Sequence, residues 1–128
     1  MAVTYNVAVK TVRMTATRDY FANGTLELLS AANQVLAIFG LSEDGGEVSG
    51  DEWTLAFDAT EIQGEAAAGT GTNAAKARLK TSGGAAHLTD LTVGLATDTP
   101  VRDVIMTNTS ISAGQEVGVV SATFKHAP

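Results

Sequence analysis

Thr109-Ser-Ile-Ser-Ala-Gly-Gln-Glu-Val-Gly-Val-Val-Ser-Ala-Thr-Phe124 reads as a turn at Ala113-Gly114 followed by a strand. Side chains alternate along a strand, so Val117, Val119 and Ser121 share one face while Val120, Ala122 and Phe124 share the other. Both faces are mostly apolar, which predicts a strand over 115–126 buried deep in a sheet. The stretch carries no group suited to catalysis; it is building material.

The same grammar extends back through the chain. From residue 24 onward, short apolar runs are separated by Gly, Ser, Asn, Asp and Thr, the pattern of an all-β sandwich or barrel. It predicts strands near 25–29, 34–41, 53–58, 74–81, 86–95 and 101–107, with an eighth near 60–64. Trp53, Leu55 and Phe57 share one face of the third, opposite Thr54, Ala56 and Asp58. Val35, Leu36, Ala37, Ile38 and Phe39 read as a central strand buried on both sides. Ala75-Lys-Ala-Arg-Leu-Lys80 alternates most cleanly, with Lys76, Arg78 and Lys80 on one face and Ala75, Ala77 and Leu79 on the other. Ser82-Gly83-Gly84 then turns the chain into His87–Leu95, a predicted hairpin. The expected core comprises Leu36, Ile38, Trp53, Leu55, Phe57 and Leu79, joined by Val93, Ile105, Val119 and Phe124.

Ahead of these strands, Tyr5, Val9, Val12, Ala16 and Tyr20 recur at helical spacing, with Lys10, Arg13, Thr17 and Arg18 elsewhere around the cylinder. Thr4 is the expected N-cap. The β-branched residues among Val3, Tyr5, Val7 and Val9 support a competing strand reading. Asn23-Gly24 ends the element. The resulting organisation is an N-terminal helix or arm over 1–22 and a β domain over 23–128, mainly β overall: a β-sandwich or jelly-roll of seven to eight strands with a short N-terminal helix.

A chain of 128 residues suffices for one core, and without cysteine it has neither disulfides nor thiolate chemistry. No apolar segment approaches a membrane span, and no signal peptide is visible at the N-terminus, so a soluble protein with no membrane partner is expected. The net charge of -6 opposes general attraction to nucleic acid. Charge is unevenly spread: Glu43, Asp44, Glu47, Asp51, Glu52, Asp58, Glu61 and Glu65 occupy a stretch without Lys or Arg, whereas Lys10, Arg13 and Arg18 dominate the N-terminal segment. The chain can therefore pair its own ends or those of neighbours.

Signatures of chemistry are sparse. Gly69-Thr-Gly71 lacks the rest of any phosphate-binding loop and reads as a connection. The acidic residues from Glu43 to Glu52 are suited to calcium, yet lack the alternating ligand register of an EF-hand, so a solvated acidic turn or a guarded sheet edge is favoured. His87 and His126 are the only histidines, and no serine sits in a Gly-x-Ser-x-Gly elbow. No catalytic, cofactor or metal residues are therefore assigned, and no enzyme is expected. The candidate interface comprises Tyr5, Lys10, Arg13 and Arg18 from the N-terminal segment, with Lys76, Arg78 and Lys80 from the basic strand, whose expected partners are carboxylates of a neighbouring strand or subunit.

Tyr5–Ala16, the run from Gly69-Thr-Gly71 to Leu79, Leu91-Thr-Val-Gly94 and Thr109–Gly114 with its Val-rich strand together resemble a family of small virion-associated proteins of tailed bacteriophages. The acidic 43–65 segment departs from that pattern. The resemblance implies a capsid decoration, or cement, protein: a small sandwich or jelly-roll homo-oligomer, dimer or trimer, on the outer head surface. Its partner would be the major capsid protein, its place the virion, and its site of synthesis the bacterial cytoplasm. The alternative is a tail or fibre module recognising a host-surface ligand.

Overall fold

In the computed structural model the chain is mainly β with one helix. The structure describes residues 6–59, 62–84, 86–95, 97, 98, 102–106 and 108–125, except for the side chains of Ala86, His87, Asp90 and Lys125. In chain order the elements are α1 (Val7–Phe21), β1 (Thr25–Leu29), β2 (Val35–Ser49), β3 (Glu52–Phe57), β4 (Ile62–Gln63) and a single 3-10 turn (Ala66–Ala68). There follow β5 (Thr72–Asn73), β6 (Lys76–Lys80), β7 (Ala86–Leu95), β8 (Val104–Met106), β9 (Ser110–Ile111), β10 (Glu116–Val117) and β11 (Ser121–Lys125).

Seven strands close into a barrel in the order β1-β2-β3-β11-β8-β7-β6, with β6 returning to β1. This corrects the expectation of a sandwich or jelly roll, because the sheet packs against itself and not against a second sheet. Closure pairs the barrel's edges, which removes the hazard of an open strand edge. Every barrel pairing is antiparallel except β7 with β8, where Val93 sits opposite Val104. Asp103 pins this seam: its carboxylate accepts from the Thr92 backbone N–H at 3.0 Å and from the Thr92 hydroxyl at 3.1 Å.

The interior follows from alternation. Leu26 lies between Phe39 and Leu79 in register, and Leu28 between Ala37 and Ala77, so one face of three strands supplies a continuous apolar wall. Trp53 is fully buried, with Val48 and Phe124 as its cross-strand neighbours. Outside the barrel, the β4–β10 and β5–β9 pairs form a small lobe whose Ala68, Ile111 and Val117 are buried. The Glu65 N–H donates to the Leu36 carbonyl at 2.7 Å, placing this lobe against the start of β2 and burying Leu36 from outside. The cover stops there, and Ile38, expected in the core, is 37% exposed.

The closing stretch differs from its expected form. Ala113-Gly114 does turn, with Gly114 at φ +76, but the strand breaks between β10 and β11. Val117, Ala122 and Phe124 are buried, Val119 is half-buried and Val120 is 59% exposed, so only one face of β11 enters the core. Ile105 and Phe57 are likewise only half-buried.

Beyond its predicted end, β2 continues through the acidic residues to Ser49. Leu41 pairs with Phe57 and Gly46 with Leu55, so residues 42–45 bulge out opposite Ala56 alone. Gly46 adopts φ +113, and a Cβ there would overlap the Thr54 carbonyl, which makes glycine the residue the bulge requires. Two glycines of the expected acidic turn instead let the strand continue past an interruption.

Candidate interaction surface

Asn6 caps α1, its side-chain oxygen accepting from the Val9 N–H at 3.0 Å; Thr4, the expected cap, lies outside the described residues, as do Tyr5, Glu61 and His126. The apolar stripe read from the sequence is not the face that packs on the barrel. Met14 and Phe21 are buried, while Val9 is 42%, Val12 70% and Tyr20 59% exposed. The cause lies in the wall that α1 covers. Phe21 stacks on Trp53 at 6.2 Å between ring centroids, and Phe124 meets Trp53 edge-on at 5.7 Å. Alongside these rings, the end of β2 and the turn after it present backbone carbonyls that need donors: the Thr11 hydroxyl donates to Gly50 O at 2.5 Å and Arg18 Nη1 to Gly46 O at 3.5 Å. Polar residues are therefore spent inward, and the apolar stripe of Val9, Val12, Ala16 and Tyr20 faces solvent.

Each candidate cation has a definite place. Lys10 is half-buried, its Nζ 4.0 Å from the Asp51 carboxylate. Arg18 bonds the Asp19 carboxylate at 3.1 Å, and Arg13 is exposed on the outer face of α1. Exposed or half-exposed pairs of this kind contribute about 0–1 kcal/mol each. On β6, Lys76, Arg78 and Lys80 share the outer face as expected, but they are half-buried. The Arg78 guanidinium and the Lys80 ammonium, the latter at 3.3 Å, both close on Glu27 of β1. Glu27 is 6% exposed, a buried carboxylate held by two cations. The basic strand thus meets a carboxylate of its neighbouring strand within the same chain. Sequence reading passed over Glu27, although a lone acid inside Leu26-Glu-Leu-Leu29 was the available signal.

The outer face of α1 has two different flanks. On one, Ala16, Thr17, Tyr20 and Phe21 form a shallow groove with Leu88 of β7, about 390 Å³ in volume. The Tyr20 ring meets Phe21 edge-on at 5.5 Å, which fixes it at the groove's rim. On the other flank runs the β2 bulge with Glu43 and Asp44 exposed. The Asp44 carboxylate accepts from the Ser42 hydroxyl at 2.7 Å and the Gly46 N–H at 3.1 Å, and these bonds, the first above all, hold its pKa below the ordinary value.

Among the described residues, no three His, Asp or Glu side chains gather as a metal site. No described helix is long and apolar enough to cross a membrane. Compared with known protein families, curated proteins and solved structures, the chain matches none.

Proposed function

We propose that this chain is a structural protein of a tailed-phage virion, a decoration subunit that binds the outside of the head and stabilises it. The observation that carries this reading is the exposed apolar face of α1, mounted on a closed barrel: Val12 and Tyr20 are 70% and 59% exposed while the opposite side of the same helix is anchored by Met14 and Phe21. Contiguous exposed apolar surface on a small protein favours an interaction role. The sequence resemblance described above supplies the setting, and a rigid barrel serves a decoration subunit as well as the sandwich or jelly roll which that resemblance implies. A subunit touching two shell proteins adds binding energy that must be lost before they separate, and many copies make modest contacts effective.

The test adds the purified chain to expanded heads lacking it. Saturable binding, with a rise in the temperature at which the heads burst, is the expected result. Heads that neither bind the protein nor gain stability would sink the decoration reading, and binding to tails in the same assay would replace it with the tail or fibre role.

A further inference from the structure

Asn23-Gly24 joins α1 to β1, and it is the one place in the chain where glycine follows asparagine; Asn6, Asn33, Asn73 and Asn108 precede Val, Gln, Ala and Thr. The pairing matters chemically because the backbone nitrogen after an asparagine can attack that residue's own side-chain amide, and glycine has no side chain to block the approach. The fold holds this link in a clasp. Ala22 at φ -54, ψ 140 and Asn23 at φ +63, with the Gly24 N–H donating to the Phe21 carbonyl at 2.8 Å, make a type II turn, whose third residue favours Asn or Gly. The Asn23 N–H donates to Ser42 O at 3.2 Å and the Leu41 N–H to Gly24 O at 2.9 Å, so both residues are also bonded to β2. Asn23 is exposed to water while Gly24 is buried, and a Cβ at position 24 would lie 2.0 Å from the Lys80 carbonyl oxygen.

We propose that Asn23 is a site of spontaneous deamidation which the seated helix keeps shut, and that the reaction, once it occurs, unseats α1. The Gly24 nitrogen bonds to Asn23 Cγ, the Cγ–Nδ2 bond breaks, and ammonia leaves with the proton that Gly24 gave up. Water then opens the resulting succinimide at one carbonyl or the other, giving an aspartyl or an isoaspartyl link. Ring closure needs rotation about the Asn23 Cα–C bond and loss of the Gly24 amide proton, and both break the bond to the Phe21 carbonyl. The Lys80 carbonyl crowds Gly24 from a second side. The seated turn is therefore unreactive, and the chemistry waits for an opening in which the last turn of α1 lifts. An isoaspartyl link lengthens the main chain by one methylene, for which the clasp has no space, and Phe21, two residues away, loses the placement that stacks it on Trp53. Little else seats the helix, since Met14 and Phe21 are its two buried side chains. The inference does not depend on the virion reading.

The test ages the full chain at mildly alkaline pH, folded and in concentrated urea, and follows every asparagine by peptide mass mapping together with ammonia release. In urea Asn23 is expected to react ahead of Asn6, Asn33, Asn73 and Asn108. In the folded protein its rate should fall roughly tenfold or more, because the open state is a minor one. Phe21→Leu loosens the ring stack and should raise the folded rate several-fold while leaving the urea rate unchanged; the two wild-type rates decide the gate even where that variant does not fold. For the second half of the proposal, chain aged in urea is refolded beside an Asn23→Gly chain aged in the same way, since glycine suits φ +63 and has no amide to lose. That control also carries any isomerisation at Asp44-Gly45, which releases no ammonia. The deamidated chain is expected to lose amide hydrogen-exchange protection across α1 and to melt at a lower temperature, while the Asn23→Gly chain keeps both. Equal rates in the folded protein and in urea, another asparagine reacting first in urea, or a deamidated chain whose α1 is as protected as the control's overturns the proposal.

Discussion

Trp53→Ala probes the junction on which α1 and the barrel both depend. The indole is fully buried in contact with Phe21 and Phe124, and its Nε1–H donates to the Gly45 carbonyl at 3.0 Å. Truncation removes a large buried ring and leaves a cavity, which costs about 3–5 kcal/mol. It also leaves the bulge carbonyl without its donor. Trp53→Phe keeps most of the packing and loses chiefly the hydrogen bond, so its cost should be about 1–2 kcal/mol. Small domains are stable by only about 5–15 kcal/mol, so the alanine variant should remain folded with little margin. Urea unfolding followed by far-ultraviolet circular dichroism reads both variants, and a slope of about 1.5 kcal/mol per molar urea converts the alanine cost into a midpoint lower by about 2–3 M. A midpoint shift under about 0.5 M for Trp53→Ala, on the same slope, would refute the placement of the ring at the centre of the core.

Glu27→Ala strands Arg78 and Lys80 on a half-buried face. Because both cations retain some solvent access, the expected cost is about 1–3 kcal/mol, below that of a fully buried pair, measured by thermal melting. Gly46→Ala places a side chain at φ +113 against a backbone carbonyl and should destabilise by about 1–3 kcal/mol, whereas Gly83→Ala, in an open turn, should change the melting point little. The Asp44 carboxyl titrates below its ordinary 3.8 because the Ser42 hydroxyl and Gly46 amide favour its charged form. A depressed folded pKa means its contribution is present above pH 3.8 and is lost as pH falls through the folded value, so Ser42→Ala should move the carboxyl's NMR titration back towards 3.8.

The strands that declare themselves in the sequence are those with one wet face. β3 and β6 alternate cleanly, and Trp53, Leu55, Ala77 and Leu79 point inward as the pattern requires. Closure of the barrel was not legible, because it depends on the parallel meeting of β7 with β8, a long-range pairing that no local pattern encodes. Gly45-Gly46 reads locally as a turn, and only the partner strand reveals that it is a bulge inside β2. Val120 shows the limit of counting apolar residues: it sits in the richest valine run and is exposed, because the strand breaks beside it. The helix is the most instructive case. Its apolar stripe was legible from spacing, but that Met14 and Phe21 rather than the stripe meet the body of the protein was not, because it depends on the covered wall's demand for donors, which sequence does not display. For the candidate cations, register resolved what spacing could not: Arg78 is opposite Glu27, so its partner lies one strand away.

The central claim is that α1 turns Met14 inward and leaves Val12 free to meet a partner. Since the chain has no cysteine, single thiols report this cleanly. Maleimide labelling of Val12→Cys and Met14→Cys in the native protein is the direct measurement. The account predicts that the thiol at position 12 reacts at nearly the rate of an unfolded peptide and that the thiol at position 14 is slowed by about 100-fold or more, since it must await local opening. Equal rates, or faster labelling at position 14, would contradict it.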